Sequence, residues 1–274
     1  MENHKKKKKI KNVLLGIIIL IALVLIIPYS RTLLATELYS IANKQASPLS
    51  INNMEINIPS GKITKERDWF RNIVWFHDET YRNSNVDITV LYSYGAFDNI
   101  LGTSSFYDQN SKYYGSFYGG YFIINNNDDK FGYKEDDTLD AAEIMSITEH
   151  DQKNLVLPAL GCERDKRVFE VNDVKDMETV SYIGYDDWIT VDSKILTNGP
   201  AHKKNDFYRG YFQYGLPLEP IEGSYDFEPK EFYGRIYVRY FEEYKATVCL
   251  YIMSYDEDIM NTTDNKILSK SKIQ

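Results

Sequence analysis

Cysteine is almost absent from this chain: Cys162 and Cys249 are the only two in 274 residues. That excludes a disulfide-dense scaffold and the four-thiolate zinc sites that need clustered cysteines. Histidine is equally sparse, at 4, and no G-x-S-x-G nucleophile elbow occurs. Glycine (15) and proline (8) are too few for collagen or a Pro/Gly-rich disordered chain. Only one long apolar run exists, which rules out a multi-pass membrane protein. What remains is a chain with 43% hydrophobic and 14% aromatic residues, enough for one large domain or two small ones with a buried core.

The apolar run lies at the amino terminus. Lys5, Lys6, Lys7, Lys8, Lys9 and Lys11 precede the uncharged stretch Val13 to Ile27. A helix there satisfies its own backbone in lipid, and the lysines hold its start on the cytoplasmic side. Fifteen residues at about 1.5 Å each span only ~22 Å, against a hydrocarbon core of ~30 Å. Counting to Tyr29 lengthens the span to 17 residues, with Lys11 snorkelling at the inner face. Cleavage after Ala35 would place Leu33 at the −3 position, and after Ser30 it would place Pro28 there. Both fit a signal peptidase poorly, which favours a retained signal anchor over secretion after cleavage. The expected organisation is a cytoplasmic lysine-rich segment (1–12), a transmembrane anchor (13–29) and a stalk or linker (30–52). An extracytoplasmic domain (53–258) and a polar tail (259–274) follow.

Residues 1–31 hold 7 of the 32 basic side chains and 1 of the 40 acidic ones, leaving 25 against 39 and a net charge of −14 beyond the anchor. An acidic domain lacks the basic stripe that nucleic acid requires. Neutral glycans, cations, peptides and other proteins remain compatible partners. In an oxidising exterior Cys162 and Cys249 could form a disulfide, or Cys249 could be a small core residue of a buried strand.

Strand signals dominate the domain. Val86–Tyr94 alternates apolar and polar residues, as does the segment around Ile236, Val238 and Tyr240. Ala246–Met253 is apolar on both faces, which predicts an interior strand paired with the preceding one as a hairpin. Further predicted strands are Phe117–Ile124, Leu155–Leu157, Val168–Val171, Thr179–Tyr182, Trp188–Val191 and Phe207–Tyr214. The spacing over Ile63–Tyr81 suggests a helix, and Leu139–Ile147 a second, entered through Thr138. The fold class is therefore α+β and β-rich, with mostly antiparallel strands, one or two short helices and a preceding transmembrane helix. The echo Phe117-Tyr-Gly-Gly-Tyr-Phe122 and Phe207-Tyr-Arg-Gly-Tyr-Phe212 does not extend into its flanks. It reads as strand chemistry, in which a bare glycine lets an aromatic ring lie over the backbone.

Catalytic signals are weak. His77-Asp78, His150-Asp151 and His202 match no metal-ligand spacing, and no cofactor motif is present. Carboxylates such as Glu79, Asp98, Asp186, Asp187 and Glu219 are abundant, but a hydrolytic pair is a spatial property. Asn125–Asp129 resembles a calcium loop, yet its sixth position is Lys130 where glycine is required. The sharpest positive signal is aromatic: Tyr113, Tyr114, Tyr118, Tyr121, Trp188, Tyr208, Tyr211 and Tyr214 could form a stacking surface for sugars or protein partners. The expectation is a membrane-anchored binding or assembly protein of the cell envelope, contacting an envelope glycan or another surface protein without catalysis. The alternative is an anchored surface hydrolase working through paired carboxylates.

Overall fold

The computed structural model describes residues 2–26, 41, 47–59, 70–78, 86–94, 112–127, 129–157, 163–198 and 228–274. At the amino terminus α1 (Glu2–Ile26) is one helix of 25 residues. Its apolar side chains, Ile10 and Val13 to Leu23, point to every side and are 50–63% exposed. Among the described residues no helix is long and apolar enough to cross a membrane. The side chains described in α1 end at Leu23, whereas the apolar run of the sequence continues to Ile27.

The domain begins with a short helix, α2 (Pro48–Ile51), which leads into β1 (Ile56–Asn57). Strands β2 (Phe70–Asp78), β3 (Val86–Tyr94) and β4 (Phe117–Asn125) form an antiparallel meander. Next comes α3 (Ala141–Asp151), extended by a π-helical turn at Gln152–Val156. Strands β5 (Phe169–Asn172), β6 (Glu178–Tyr182), β7 (Tyr185–Thr197), β8 (Lys230–Phe241) and β9 (Ala246–Ser254) complete the sheet. The chain closes with α4 (Glu257–Lys266) and β10 (Lys272–Ile273), which pairs with β1.

The eight-stranded sheet runs β2-β3-β4-β9-β8-β7, and every pairing is antiparallel. The 13-residue β7 carries two partners along its outer edge, β6 on its first half and β5 on its second. Its length leaves room for both, because a strand pairs along its whole edge. The protein is thus α+β with mostly antiparallel strands and few helices.

Strand β9 is central and buried at all nine positions, because both faces of the sheet are covered. Cys249, Tyr251 and Met253 pack on one face with Ile144 and Ile147 of α3. Val248, Leu250 and Ile252 pack on the other, under Met260 of α4 and Leu49, Ile56 and Ile273. Gly119 of β4 shows why glycine sits in this sheet: a Cβ there would lie 2.7 Å from the Tyr251 hydroxyl and 2.4 Å from the Leu91 carbonyl oxygen.

Several elements differ from the sequence reading. Residues 70–78, expected to be helical, form β2, paired over nine residues with β3. Trp and Phe at mixed spacing suit either element, and the open edge of β3 decides for the strand. The expected strand Leu155–Leu157 instead overlaps the π-helical turn that prolongs α3. That helix starts from Asp140, whose carboxylate accepts the Glu143 N–H at 3.1 Å, and not from Thr138. The expected polar tail is an integral layer, since Met260, Ile267 and Leu268 are at most 1% exposed. The expected linker is likewise structured at Ser47–Leu49, where Leu49 is wholly buried. The predicted strand Phe207–Tyr214 lies outside the described residues.

Candidate functional site

Among the described residues, four of the aromatics singled out by sequence lie inside the protein and not on a solvent-facing platform. Tyr113, Tyr118, Tyr121 and Trp188 are at most 6% exposed. Tyr118 donates its hydroxyl to the Pro59 carbonyl at 2.7 Å, and Tyr121 donates to the Asp151 carboxylate at 2.8 Å. Trp188 meets Tyr182 and Phe241 edge-on. These rings fill the two core layers, the commonest fate of aromatics on a doubly covered sheet. Tyr114 is half-buried, with its ring 5.8 Å from Tyr255. Tyr208, Tyr211 and Tyr214 lie outside the described residues.

Cys249 is a free thiol buried on β9, and burial pushes its pKa upward. Cys162, the other member of the possible disulfide, lies outside the described residues. Among the described residues no group of three or more His, Cys, Asp or Glu side chains could hold a metal ion. His150 contacts Asn154 at 3.2 Å on α3. Asp186 and Asp187 are strand neighbours and point to opposite faces, which precludes their acting on one bond. Asp186 accepts from Ser181 and Asp187 pairs with Arg239. Glu79, Asp98, Glu219 and His202 lie outside the described residues. Asn125 closes an Asx turn, its side-chain oxygen accepting the Asn127 N–H at 3.1 Å.

A different site emerges on the sheet face that carries α4. Strands β6, β7 and β8 project Glu178, Val180 and Tyr182, then Thr190 and Asp192, then Arg235 and Tyr237 onto that face. With the loop Val174–Asp176 they line a groove of about 680 Å³. The register explains the gathering: Glu178 pairs with Thr190, Thr190 with Tyr237 and Asp192 with Arg235. Alternation brings these same-face positions side by side across neighbouring strands.

Arg235 organises the floor. Its Nε and Nη2 donate to the two oxygens of Asp192 at 2.7 and 2.8 Å, a bidentate fork. Its Nη1 donates to Asn261 and Asp264 of α4 at 3.0 and 3.1 Å. Asp264 is almost fully buried and also accepts the hydroxyls of Tyr182 (2.7 Å) and Tyr237 (2.6 Å). The two tyrosine rings stack with centroids 3.8 Å apart. Burial first, and then the Asp264 charge, push both phenols well above the ordinary tyrosine pKa. The fork to Asp192 raises that of Arg235 further, so its charge is permanent.

The groove therefore combines one fixed cation, bonded carboxylates and hydroxyl groups. Asp192, which lines it, and Asp264, buried beneath it, are both held by Arg235, which favours recognition over proton transfer from either. Across the groove mouth Lys175 lies 3.6 Å from Glu257 at the start of α4. Sequence reasoning missed these residues for a definable reason. Arg235 was visible as a charged position alternating within an otherwise apolar strand, but its partners come from β7 and from the segment read as a tail.

No family model, no curated protein and no solved structure matches this chain.

Proposed function

We propose that this chain is a membrane-anchored binding or assembly protein of the cell envelope, with α1 as its anchor and the β6–β8 groove as its binding face. One observation carries the membrane reading: from Val13 to Leu23 α1 is apolar on every side, and those side chains are exposed. A helix of that kind needs an apolar surrounding, either a protein core or lipid. Burying each Leu or Ile of α1 is worth on the order of 1.5–3 kcal/mol. The lysine block in the first turns of α1 sets the orientation, amino terminus inside and domain outside.

Support for binding is the groove, whose volume is that of a small-ligand cleft. The test is protease added to intact cells that express the full chain with a carboxy-terminal tag. The expected result is loss of the tag, with an amino-terminal fragment retained in alkali-washed membranes. A tag that survives until the cells are broken overturns the reading. So does a membrane-free fragment whose amino terminus begins after the apolar run, which would mean secretion after cleavage.

A further inference from the structure

We infer that the β6–β8 groove binds a neutral, polyhydroxylated ligand, a saccharide, through Thr190, Asp192, Glu178 and the remaining N–H of Arg235. The inference rests on the groove being a binding face, as proposed above, and names its ligand class.

The first observation is unmet hydrogen-bonding capacity. The Thr190 hydroxyl oxygen is buried on the groove floor and has no hydrogen-bond partner. Native structures leave few such groups, and one lining a cleft is explained by a partner that arrives with the ligand. Arg235 has five N–H donors, and four are used, two on Asp192 and one each on Asn261 and Asp264. The carboxylate of Asp192 accepts twice, which leaves lone pairs free on both of its oxygens. Glu178 stands beside Thr190 in register and makes no ion pair among the described residues.

The second observation is the mixture of signs. An anion entering the groove meets Asp176, Glu178 and Asp192; a cation meets Lys175 and Arg235, and the charge of Arg235 cannot be removed. Neither sign is favoured at the floor, where Asp192 and Arg235 lie opposite one another. A hydroxyl group suits such a surface, because it donates to a carboxylate and accepts from a guanidinium at once. A ligand that carries many hydroxyls and no charge uses Glu178, Thr190, Asp192 and Arg235 together. Strands spaced about 4.8 Å apart place these groups in two adjacent cross-strand rows, Glu178 with Thr190 and Asp192 with Arg235, which a ligand lying over both rows meets together.

The test uses the full chain in detergent micelles, titrated calorimetrically with neutral hexasaccharides (β-1,4-linked glucose, β-1,4-linked N-acetylglucosamine and α-1,4-linked glucose). Oligolysine and oligogalacturonate serve as charged comparators. The expected result is saturable binding of at least one neutral sugar, changed less than about twofold between roughly 0.05 and 0.5 M salt. Thr190→Val, which keeps shape and deletes the unpartnered hydroxyl, is expected to weaken that binding about fivefold, the loss of one hydrogen bond. The same variant should melt at or above the wild-type temperature, so loss of binding cannot be loss of fold. Glu178→Gln, at an exposed position, provides an independent second variant with the same expected direction. Binding of no neutral sugar overturns the inference, as does salt-sensitive binding of a charged comparator alone. Unchanged affinity in both variants also overturns it. The protease experiment reads location only, so a protected tag together with sugar binding refutes the anchor and leaves the groove standing.

Discussion

Arg235 and Asp192 face each other across β8 and β7 in a two-bond fork, and the free side of the same guanidinium reaches Asp264 on α4. One cation thus ties helix to sheet exactly where the groove is deepest in polar groups. Asp264 is the costly member. It is nearly fully buried, and three donors converge on it. Asp264→Ala is expected to destabilise the protein by roughly 3 kcal/mol, because two phenols and an N–H lose their acceptor away from water. Asp187→Ala should cost under about 1 kcal/mol, since that carboxylate is 65% exposed in its pair with Arg239. Urea melts of both variants measure the contrast, and equal losses would contradict this account.

Alkaline pH should unfold the protein steeply. Tyr182 and Tyr251 are held well above their ordinary pKa of 10.0, mainly by burial, and Tyr133 is pushed up to about 12. A phenol protonated in the folded state but ionised in the unfolded one binds more protons when folded. The stability it contributes is therefore complete below pH 10 and declines as pH rises toward the folded pKa. Tyr182 and Tyr251 each remove about 1.4 kcal/mol per pH unit over that window. Tyrosinate absorbance and circular dichroism, followed together, should show the buried phenols ionising only as the fold is lost. Gradual ionisation with an intact fold would refute it.

The strands that were legible in sequence owe this to alternation, or, for β9, to a run apolar on both faces. Val86–Tyr94 matches β3 residue for residue, and the predicted hairpin matches β8 and β9 across the turn at 242–245. Alternation failed at β2, where Phe70, Ile73, Phe76 and His77 fit a helical spacing while Val74 and Trp75 suit a strand, and only the partner strand decides. It failed again at α4, whose sequence is polar except at Ile259 and Met260, because one buried methionine and a carboxylate acceptor hold it down. The groove was illegible for a related reason. Asp192, Arg235 and Asp264 are ordinary charges in sequence, and the information that joins them is the pairing of β7 with β8 and the packing of α4 against them.

Gly119 can be tested directly. Gly119→Ala would drive a methyl group against a backbone oxygen and the Tyr251 ring, both within 3 Å. Backbone in the middle of a sheet yields little, so a loss of roughly 1–3 kcal/mol is expected. The double variant with Tyr251→Leu should recover part of that loss, because the ring is half of the obstruction. A thermal melt of the two variants separates this from a helix- or strand-propensity effect, which the second substitution would not relieve.

Removal of residues 259–274 is the strongest test of the layer that sequence reading assigned to a tail. Truncation uncovers the sheet face beneath Met260, Ile267 and Leu268 and deletes β10, whose neighbour Gln274 exchanges two backbone hydrogen bonds with Glu55 at 2.7 and 2.9 Å. It also removes Thr263, which meets the buried Ser116 hydroxyl at 2.9 Å, and Asp264 beneath the groove. Exposed leucine, isoleucine and valine on a flat sheet promote association between chains. The shortened chain should aggregate and show no cooperative melt, whereas Leu268→Ala in the full chain should fold with a loss of about 2–5 kcal/mol. A truncated protein that melts cooperatively near the wild-type temperature would show that the last layer is dispensable, and with it the claim that Asp264 is held in place by the packing of α4.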